Sequence, residues 1–424
     1  MSVSERHKTM TTGEQLIRAR EATRLMVRVD EDCNRRVLLD LADRAEKRSG
    51  HLLTANRLDL ERMPTTDPRY DRLMLTADRI KAIAGDLRNV ASMKSPIGEV
   101  LEERTMPNGL HLKKIRVALG VVGVIYEARP NVTFDVFALC FRTGNVSVLK
   151  GGQDAAHSNQ AITELIHESL QSCGIAPDVM QLLPPQREAA TELMNAVGLV
   201  DVLIPRGSQG LIDSVRNGSK VPVIETGAGV CHTYFDADGD LEIGRKVVFN
   251  AKTRRVSVCN ALECLIFNSS RLSDLFDLLA PMADKSVVLE ADERSHKALS
   301  GRYPACLLLP ASEESFGREH LDYRLSIKTV DSLDEAMEHI ARYGTRHSEA
   351  IISDNRQTCS RFCNEVDAAA VYVNTSTAFT DGAQFGMGAE IGISTDKIHA
   401  RGPVGAAQLT IFKYVCRGAG QIRT

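Results

Sequence analysis

Cys259 lies in Thr253-Arg-Arg-Val-Ser-Val-Cys259-Asn260-Ala261-Leu-Glu263, between a helix-like stretch and an apolar run over 265–267. Its position at the edge of an element sets it outside any periodic core face. Arg254 and Arg255 precede it, and cationic neighbours favour the thiolate, the form that attacks carbon. An arbitrary cysteine is more often a packing residue; two other segments tip the balance here. Glu127-Ala-Arg129-Pro130-Asn131-Val-Thr133 brings a side-chain amide directly after an apolar strand, suited to holding an oxyanion. The competing role for Asn131 is a helix N-cap. Val148-Leu-Lys150-Gly151-Gly152 adds a lysine and bare backbone at another strand end.

The elements that carry these groups follow from periodicity. Residues 14–62 and 70–90 have leucine, isoleucine and alanine at helical spacing. Two strand-like runs, 99–105 and 110–116, are joined by Met106-Pro107-Asn108-Gly109, and Asn-Gly is a strong hairpin signal. Strands are then expected at 121–126, 146–150, 179–183, 200–204 and 221–224. Helices are expected between them at 133–142, 159–172, 187–196 and 210–216. This alternation predicts a parallel sheet covered on both faces, with ligands at the carboxyl ends of its strands. Asn131, Lys150, Gly207, Ser208 and Glu225 fall there. A second α/β region starts near Gly227. It holds a helix over 241–252 leading to Cys259, a helix from Ser332 with a Ser332-x-x-Glu335 capping box, and a strand over 370–374. A last strand, 409–415, suits the hairpin. Pro205-Arg206-Gly207-Ser208 opens a helix, where backbone N–H groups suit a cofactor phosphate.

The chain resembles the aldehyde dehydrogenase superfamily from about Asp30 to its C-terminus. The most specific segments are Val124-Ile-Tyr-Glu-Ala-Arg-Pro-Asn-Val132, Ile204-Pro-Arg-Gly207, Asn250-Ala-Lys-Thr253, Val258-Cys-Asn-Ala261, Gly388-Ala-Glu-Ile-Gly-Ile-Ser-Thr395 and His399-Ala-Arg-Gly-Pro403. Within the superfamily they resemble the branch that reduces an acyl phosphate of glutamate. The resemblance implies two parallel-sheet α/β domains and a β-hairpin oligomerisation arm, whose hairpin, 99–116, pairs with the C-terminal strand of a partner subunit. The cofactor-binding domain is expected over 1–97 and 121–228, the catalytic domain over 229–404, and the arm over 98–120 and 405–424. It also implies reduction of L-glutamyl 5-phosphate to L-glutamate 5-semialdehyde and phosphate by NADPH, the second step of proline biosynthesis from glutamate. Cys259 would form a thioester, with Asn131 as oxyanion donor. Lys150, Gly151, Gly152, Gly207, Ser208, Glu225, Gly227 and Glu319 would line the cofactor. Lys150 matches the position that meets the adenosine ribose or its 2′-phosphate, which favours NADPH. Two departures stand out: the usual Gln-Arg-Pro before the cysteine reads Arg254-Arg255-Val256, and Ala378 replaces a frequent Arg or Gln.

Other functions fit less well. A water-using aldehyde dehydrogenase would carry a different motif after Glu225, here Glu225-Thr-Gly-Ala-Gly-Val. A non-catalytic scaffold would not need Cys259 and Asn131. For a Cys-His hydrolase, His232 and His399 lie in no recognisable dyad. The 424 residues, 43% apolar, suffice for two or three domains. A net charge of −3 with both signs dispersed gives no nucleic-acid or membrane footprint. The ten cysteines show no metal-ligand spacing and read as reduced thiols, so no metal is expected. The polar run Met1–Lys8 lacks a secretory h-region, and the expected location is the cytoplasm. The resemblance also implies a homodimer or homotetramer and a transient contact with glutamate 5-kinase.

Overall fold

The computed structural model describes residues 10–67 and 69–423, so the opening run Met1–Lys8 lies outside the described residues. The chain forms two compact units. One holds the described residues up to Glu225, with Gly386–Gly392 and the stretch from Val404. The other holds Thr226–Phe385 and Ile393–Pro403.

The first unit begins with helices α1 (Thr12–Met26), α2 (Glu31–Lys47), α3 (Ser49–Leu60), α4 (Tyr70–Leu73) and α5 (Ala77–Ser92). Side chains start three of them: Thr11 and Glu14 form a reciprocal capping box on α1, Asp30 caps α2 and Thr76 caps α5. Next come the hairpin strands β1 (Val100–Thr105) and β2 (His111–Ala118). Strand–helix alternation follows through β3 (Val121–Tyr126), α6 (Asn131–Arg142), β4 (Val146–Gly151), α7 (Ala156–Ser172), β5 (Met180–Leu182), α8 (Arg187–Met194), β6 (Val202–Arg206) and α9 (Gln209–Gly218). The four strands are parallel, in the order β5-β4-β3-β6. β3 and β4 are buried at every residue, as strands covered on both faces must be. The strand expected at 221–224 is reduced to a single bridge, Leu203 to Val223. Pro222 has no N–H to give a ladder, and its carbonyl takes the Leu203 N–H instead.

The second unit runs β7 (Cys231–Phe235), α10 (Leu241–Thr253), β8 (Leu262–Asn268), α11 (Leu275–Ala283), β9 (Val288–Ala291), α12 (Glu293–Leu299), β10 (Leu308–Pro310), α13 (Glu313–Phe316), β11 (Arg324–Val330), α14 (Leu333–Tyr343), β12 (Ser348–Ile352), α15 (Arg356–Glu365) and β13 (Ala370–Val373). A short pair, β14 (Ile393–Ser394) and β15 (Gly402–Pro403), follows. Seven strands form one parallel sheet ordered β10-β9-β11-β8-β7-β12-β13. Its alternating side chains feed two cores. Phe235 and Phe267 stack at 4.9 Å on one face, and Tyr234, Ile266 and Ile351 pack with Ile340 and Phe362 on the other. Ser332 accepts the Glu335 N–H at the start of α14. The Glu335 carboxylate takes the N–H of Asp331 and not that of Ser332, so half of the expected capping box forms.

The last strand, β16 (Thr410–Arg417), pairs antiparallel with β2 of its own chain, giving the sheet β1-β2-β16. Opposite charges face each other across β1 and β2, Glu102 to Lys114 and Glu103 to Lys113. Lys113 reaches Glu103 at 3.0 Å, and Lys114 lies 3.8 Å over the Phe412 ring. Every residue of β1 is exposed.

Candidate active site

The nucleophile candidate sits on a turn that the second unit holds from several sides. Helix α10, capped by Asp240, delivers the chain to residues 254–261, and β8 takes it away. Cys259 is partly exposed and forms no disulfide. Its carbonyl lies against the backbone of Gly229: a Cβ there would fall 1.5 Å from Cys259 O. The Cys231 thiol donates to the same oxygen at 3.2 Å, and the Gly229 N–H donates to Glu319 at 2.8 Å. Asn260 is buried; its amide donates to Thr380 O at 3.0 Å and Ala378 O at 3.4 Å, while Thr377 Oγ1 donates to Asn260 O at 2.8 Å. Ala378 thus serves the turn through its carbonyl, whatever its side chain. Beneath the turn, Lys252 donates to Glu263 at 2.7 Å, both fully buried. Burial pushes the Glu263 carboxyl up and the Lys252 ammonium down, and their contact opposes both shifts. Arg254 and Arg255 are both exposed, where solvent and salt screen their charge.

The remaining candidates split between the units. Gly227, in the second unit, lies near Thr395, whose Oγ1 would sit 3.2 Å from an added Cβ. In the first unit, Asn131, Lys150, Gly151, Gly152, Gly207 and Ser208 follow or close β3, β4 and β6 at their carboxyl ends. Asn131 is the first residue of α6 with Pro130 at the cap position, so the N-cap alternative is not realised. Its amide donates to Asp135 at 2.9 Å, which engages one of two N–H groups. Desolvation pushes the Asp135 carboxyl up to about 7, while the Asn131 bond works against this.

Lys150 is 8% exposed, unlike an ordinary surface lysine, and donates to Pro185 O at 3.0 Å. Burial, and then the charge of Arg187, lowers its affinity for the proton. Pro185 lines a cleft of about 380 Å³ together with Gly151, Gly152, Asn159, Leu183 and Gln186. Gly151 is fixed by packing, since a Cβ would fall 2.2 Å from Asn159 Nδ2. Asn159 is itself held by Thr133, which bonds Tyr126. At Gly152 the same Cβ would meet nothing nearer than 3.6 Å, leaving backbone that a ligand can approach.

The α9 turn departs from expectation. Ser208 stands at the N-cap, but its N–H and hydroxyl both donate to the Glu127 carboxylate, at 2.8 and 3.2 Å. The anion met by this turn is the protein's own. A Cβ at Gly207 would fall 2.5 Å from Glu127 Oε2, so a larger residue there would push that carboxylate aside. Glu225 is held by Arg216 at 3.1 Å. His399 sits on a tight loop at positive φ, while His232 is fully buried on β7. Sequence reasoning missed Gly229, Asn260, the Lys252–Glu263 pair, Asp135 and Glu127. Asp135 had a readable signal, lying one helical turn after Asn131; the others depend on contacts between distant segments.

No family model matches the chain. Among curated proteins, it is 56% identical over 413 residues to the gamma-glutamyl phosphate reductase of Pelodictyon phaeoclathratiforme, covering 97% of this chain and 99% of that protein. It is 55% identical over 414 residues to that of Parabacteroides distasonis, covering 98% and 100%. Among solved structures, the gamma-glutamyl phosphate reductase of Thermotoga maritima matches with a TM-score of 0.94 at 36% identity, over 98% of this chain and 100% of that one. An acetylating aldehyde dehydrogenase from Geobacillus thermoglucosidasius matches with a TM-score of 0.69 at 16% identity, over 97% of each chain, and shows the fold alone. The fold is aldehyde dehydrogenase-like.

Gly229→Ala should move the Cys259 turn, because the added methyl overlaps backbone and no side chain can swing away. A shift of about 1 Å can cost roughly a hundredfold in rate, so turnover should fall by that order while cooperative unfolding persists. Steady-state kinetics beside thermal denaturation make the check; wild-type turnover would show that the turn tolerates displacement.

Proposed function

Because the chain belongs to the gamma-glutamyl phosphate reductase family, we propose that it reduces L-glutamyl 5-phosphate to L-glutamate 5-semialdehyde and phosphate with NADPH, the second step from glutamate to proline. The observation that supports this most is the partly exposed thiol of Cys259 on a turn held by Gly229, Cys231 and Asn260. A nucleophile on a fixed turn meets a carbonyl carbon without reorganising. In this reading the thiolate attacks the acyl carbon, phosphate leaves with the bonding pair, and a thioester remains. NADPH, when bound, supplies the hydride that reduces it. The resulting oxyanion collapses to the aldehyde and releases the thiolate. Asn131 and the Cys259 N–H are the proposed oxyanion donors, each worth about 3 kcal/mol in such sites.

The residues of the first unit fit a nicotinamide dinucleotide. The cleft beside Lys150 lies at the carboxyl ends of β4 and β5, where open α/β sheets take such ligands. Lys150 would meet the 2′-phosphate or ribose, with Gly151 and Gly152 allowing close approach. Gly207 and Ser208 would take a cofactor phosphate only if Glu127 gives way. Gly227, Glu225 and Glu319 complete the proposed cofactor set. The first unit is then cofactor-binding, the second catalytic, and the β1-β2-β16 sheet the assembly arm.

Glu225 favours phosphate over water as acyl acceptor. A carboxylate engaged by a guanidinium, as here by Arg216, is poorly placed to take a proton from water. Among the described residues no helix is long and apolar enough to cross a membrane. A cytoplasmic site of action and a passing contact with glutamate 5-kinase suit an acyl phosphate that hydrolyses readily. The open β1 edge and the exposed Val100, Leu101, Ile411, Phe412 and Tyr414 support a homodimer or homotetramer.

Three measurements test this reading. In the reverse direction, NADPH formation from glutamate semialdehyde and NADP should need phosphate. Without it, a burst of about one equivalent and then a stall is expected. Cys259→Ala should abolish both phases, and steady phosphate-free turnover yielding glutamate would favour the hydrolytic enzyme. Lys150→Ala should raise the Kd for NADPH more than that for NADH; equal losses would limit Lys150 to the ribose. Deleting Met106–Leu110 should shift sedimentation toward monomer, and an unchanged oligomer would place the interface elsewhere.

A further inference from the structure

A second cluster of reactive side chains lies on the face of the seven-stranded sheet that carries Tyr234 and Ile266. β12, β7 and β8 are neighbours there, and their register sets Glu349 beside His232 and His232 beside Cys264. Residues in one rank across a parallel sheet share a face. Helix α14 packs on that face through Ala336 and Ile340 and brings in His339. His232, Cys264 and Glu349 are completely buried, and His339 is 7% exposed.

The hydrogen bonding around these groups is lopsided. Glu349 Oε2 accepts from the His232 backbone N–H at 2.9 Å and lies 3.0 Å from Nδ1. That bond fixes the ring and leaves Nε2, which has no hydrogen-bond partner, turned into the interior. Cys264 Sγ lies 3.6 Å from His339 Nε2. The three ligand atoms of His232, Cys264 and His339 all lie within 4.8 Å of one another. Buried polar atoms nearly always find partners, so an unpartnered nitrogen beside a thiol and a second imidazole calls for a reason.

We propose that His232, Cys264 and His339 form a zinc site built into the core of the second unit. Two imidazoles and one thiolate are a donor set zinc prefers. Bond lengths of about 2.0 Å to nitrogen and 2.3 Å to sulfur place donors roughly 3.5 Å apart around a tetrahedral ion. A small inward shift of the rings meets that spacing. Binding forms a Zn–S bond and releases the Cys264 proton to solvent. The thiolate and the Glu349 carboxylate then balance the two positive charges, and the carboxylate–imidazole–metal arrangement orients His232. The three side chains supply three of the four positions around a tetrahedral ion. The ion would tie α14 to β7 and β8 as a structural element, with no part in turnover. Positions 232, 264 and 339 are too far apart in sequence to show as a metal motif.

The test uses the full-length protein purified without a metal-affinity tag. Elemental analysis after dialysis should find one zinc per chain. Apoprotein titrated with cobalt(II) should develop the thiolate-to-cobalt charge-transfer band and the visible bands of a tetrahedral ion. Both should be lost in Cys264→Ser and in His339→Gln, and kept in Cys259→Ala and in Cys359→Ser, whose thiol lies in the same core outside the cluster. Should Cys264→Ser fail to fold, His339→Gln and the wild-type titration still decide. Absence of zinc and of the cobalt bands from the wild type would overturn the proposal and leave a hydrogen-bonded core cluster. Loss of the signal in Cys259→Ala would overturn it equally, by placing the ion on the nucleophile candidate.

Discussion

The backbone contact between Gly229 and Cys259 is the constraint on which the chemistry proposed for the second unit rests. No residue but glycine can stand at 229 without displacing the Cys259 carbonyl. Because that carbonyl is held both by Gly229 and by the Cys231 thiol, the peptide plane on which the nucleophile candidate is mounted has little freedom. Asn260 extends the hold to the chain at 377–380. A short turn between a helix and a strand thereby acquires the rigidity of the sheet around it. A loop held only at its ends would have to order itself at each turnover, at an entropic cost in every cycle.

Buried charge underlies the same region. Lys252 and Glu263 flank the turn in sequence and meet beneath it. Desolvating two charges costs several kcal/mol each, and a close ion pair about recovers that. The pair therefore contributes little net stability. Its effect is on register: removing either partner strands a charge, so α10 and β8 have one favourable alignment. Glu263 also accepts the Leu321 N–H, and Glu319 two residues earlier takes the Gly229 N–H, so the loop at 319–321 is tied to both sides of the turn. The first unit solves a different problem. It buries Lys150 against the Pro185 carbonyl, and Pro185 lines the cleft, so the cation is partly dehydrated. At the neighbouring α9 turn it installs an anion of its own, Glu127.

The sequence by itself determined much of the alternation of strands and helices, because apolar runs and turn residues mark several strands and side-chain caps open helices such as α1, α2 and α5. Val121–Tyr126 and the Asn108-Gly109 hairpin are examples. It also singled out Cys259, Asn131 and Lys150, since each stands at a break between elements, where local pattern changes abruptly. What only the tertiary structure decided are the contacts between residues far apart in the chain. Gly229 carries no local sign of its approach to Cys259, 30 positions on. Lys252 reads as an ordinary last-turn cation of a helix until Glu263 is folded beneath it. Glu127 reads as part of a strand-end segment, and only the β3–β6 pairing brings it to Ser208. The same holds for the C-terminal strand, whose pairing with β2 of its own chain depends on where the fold delivers Thr410. Local propensity acts over a few residues, whereas these contacts depend on the packing of whole sheets, and no pattern in the sequence records it.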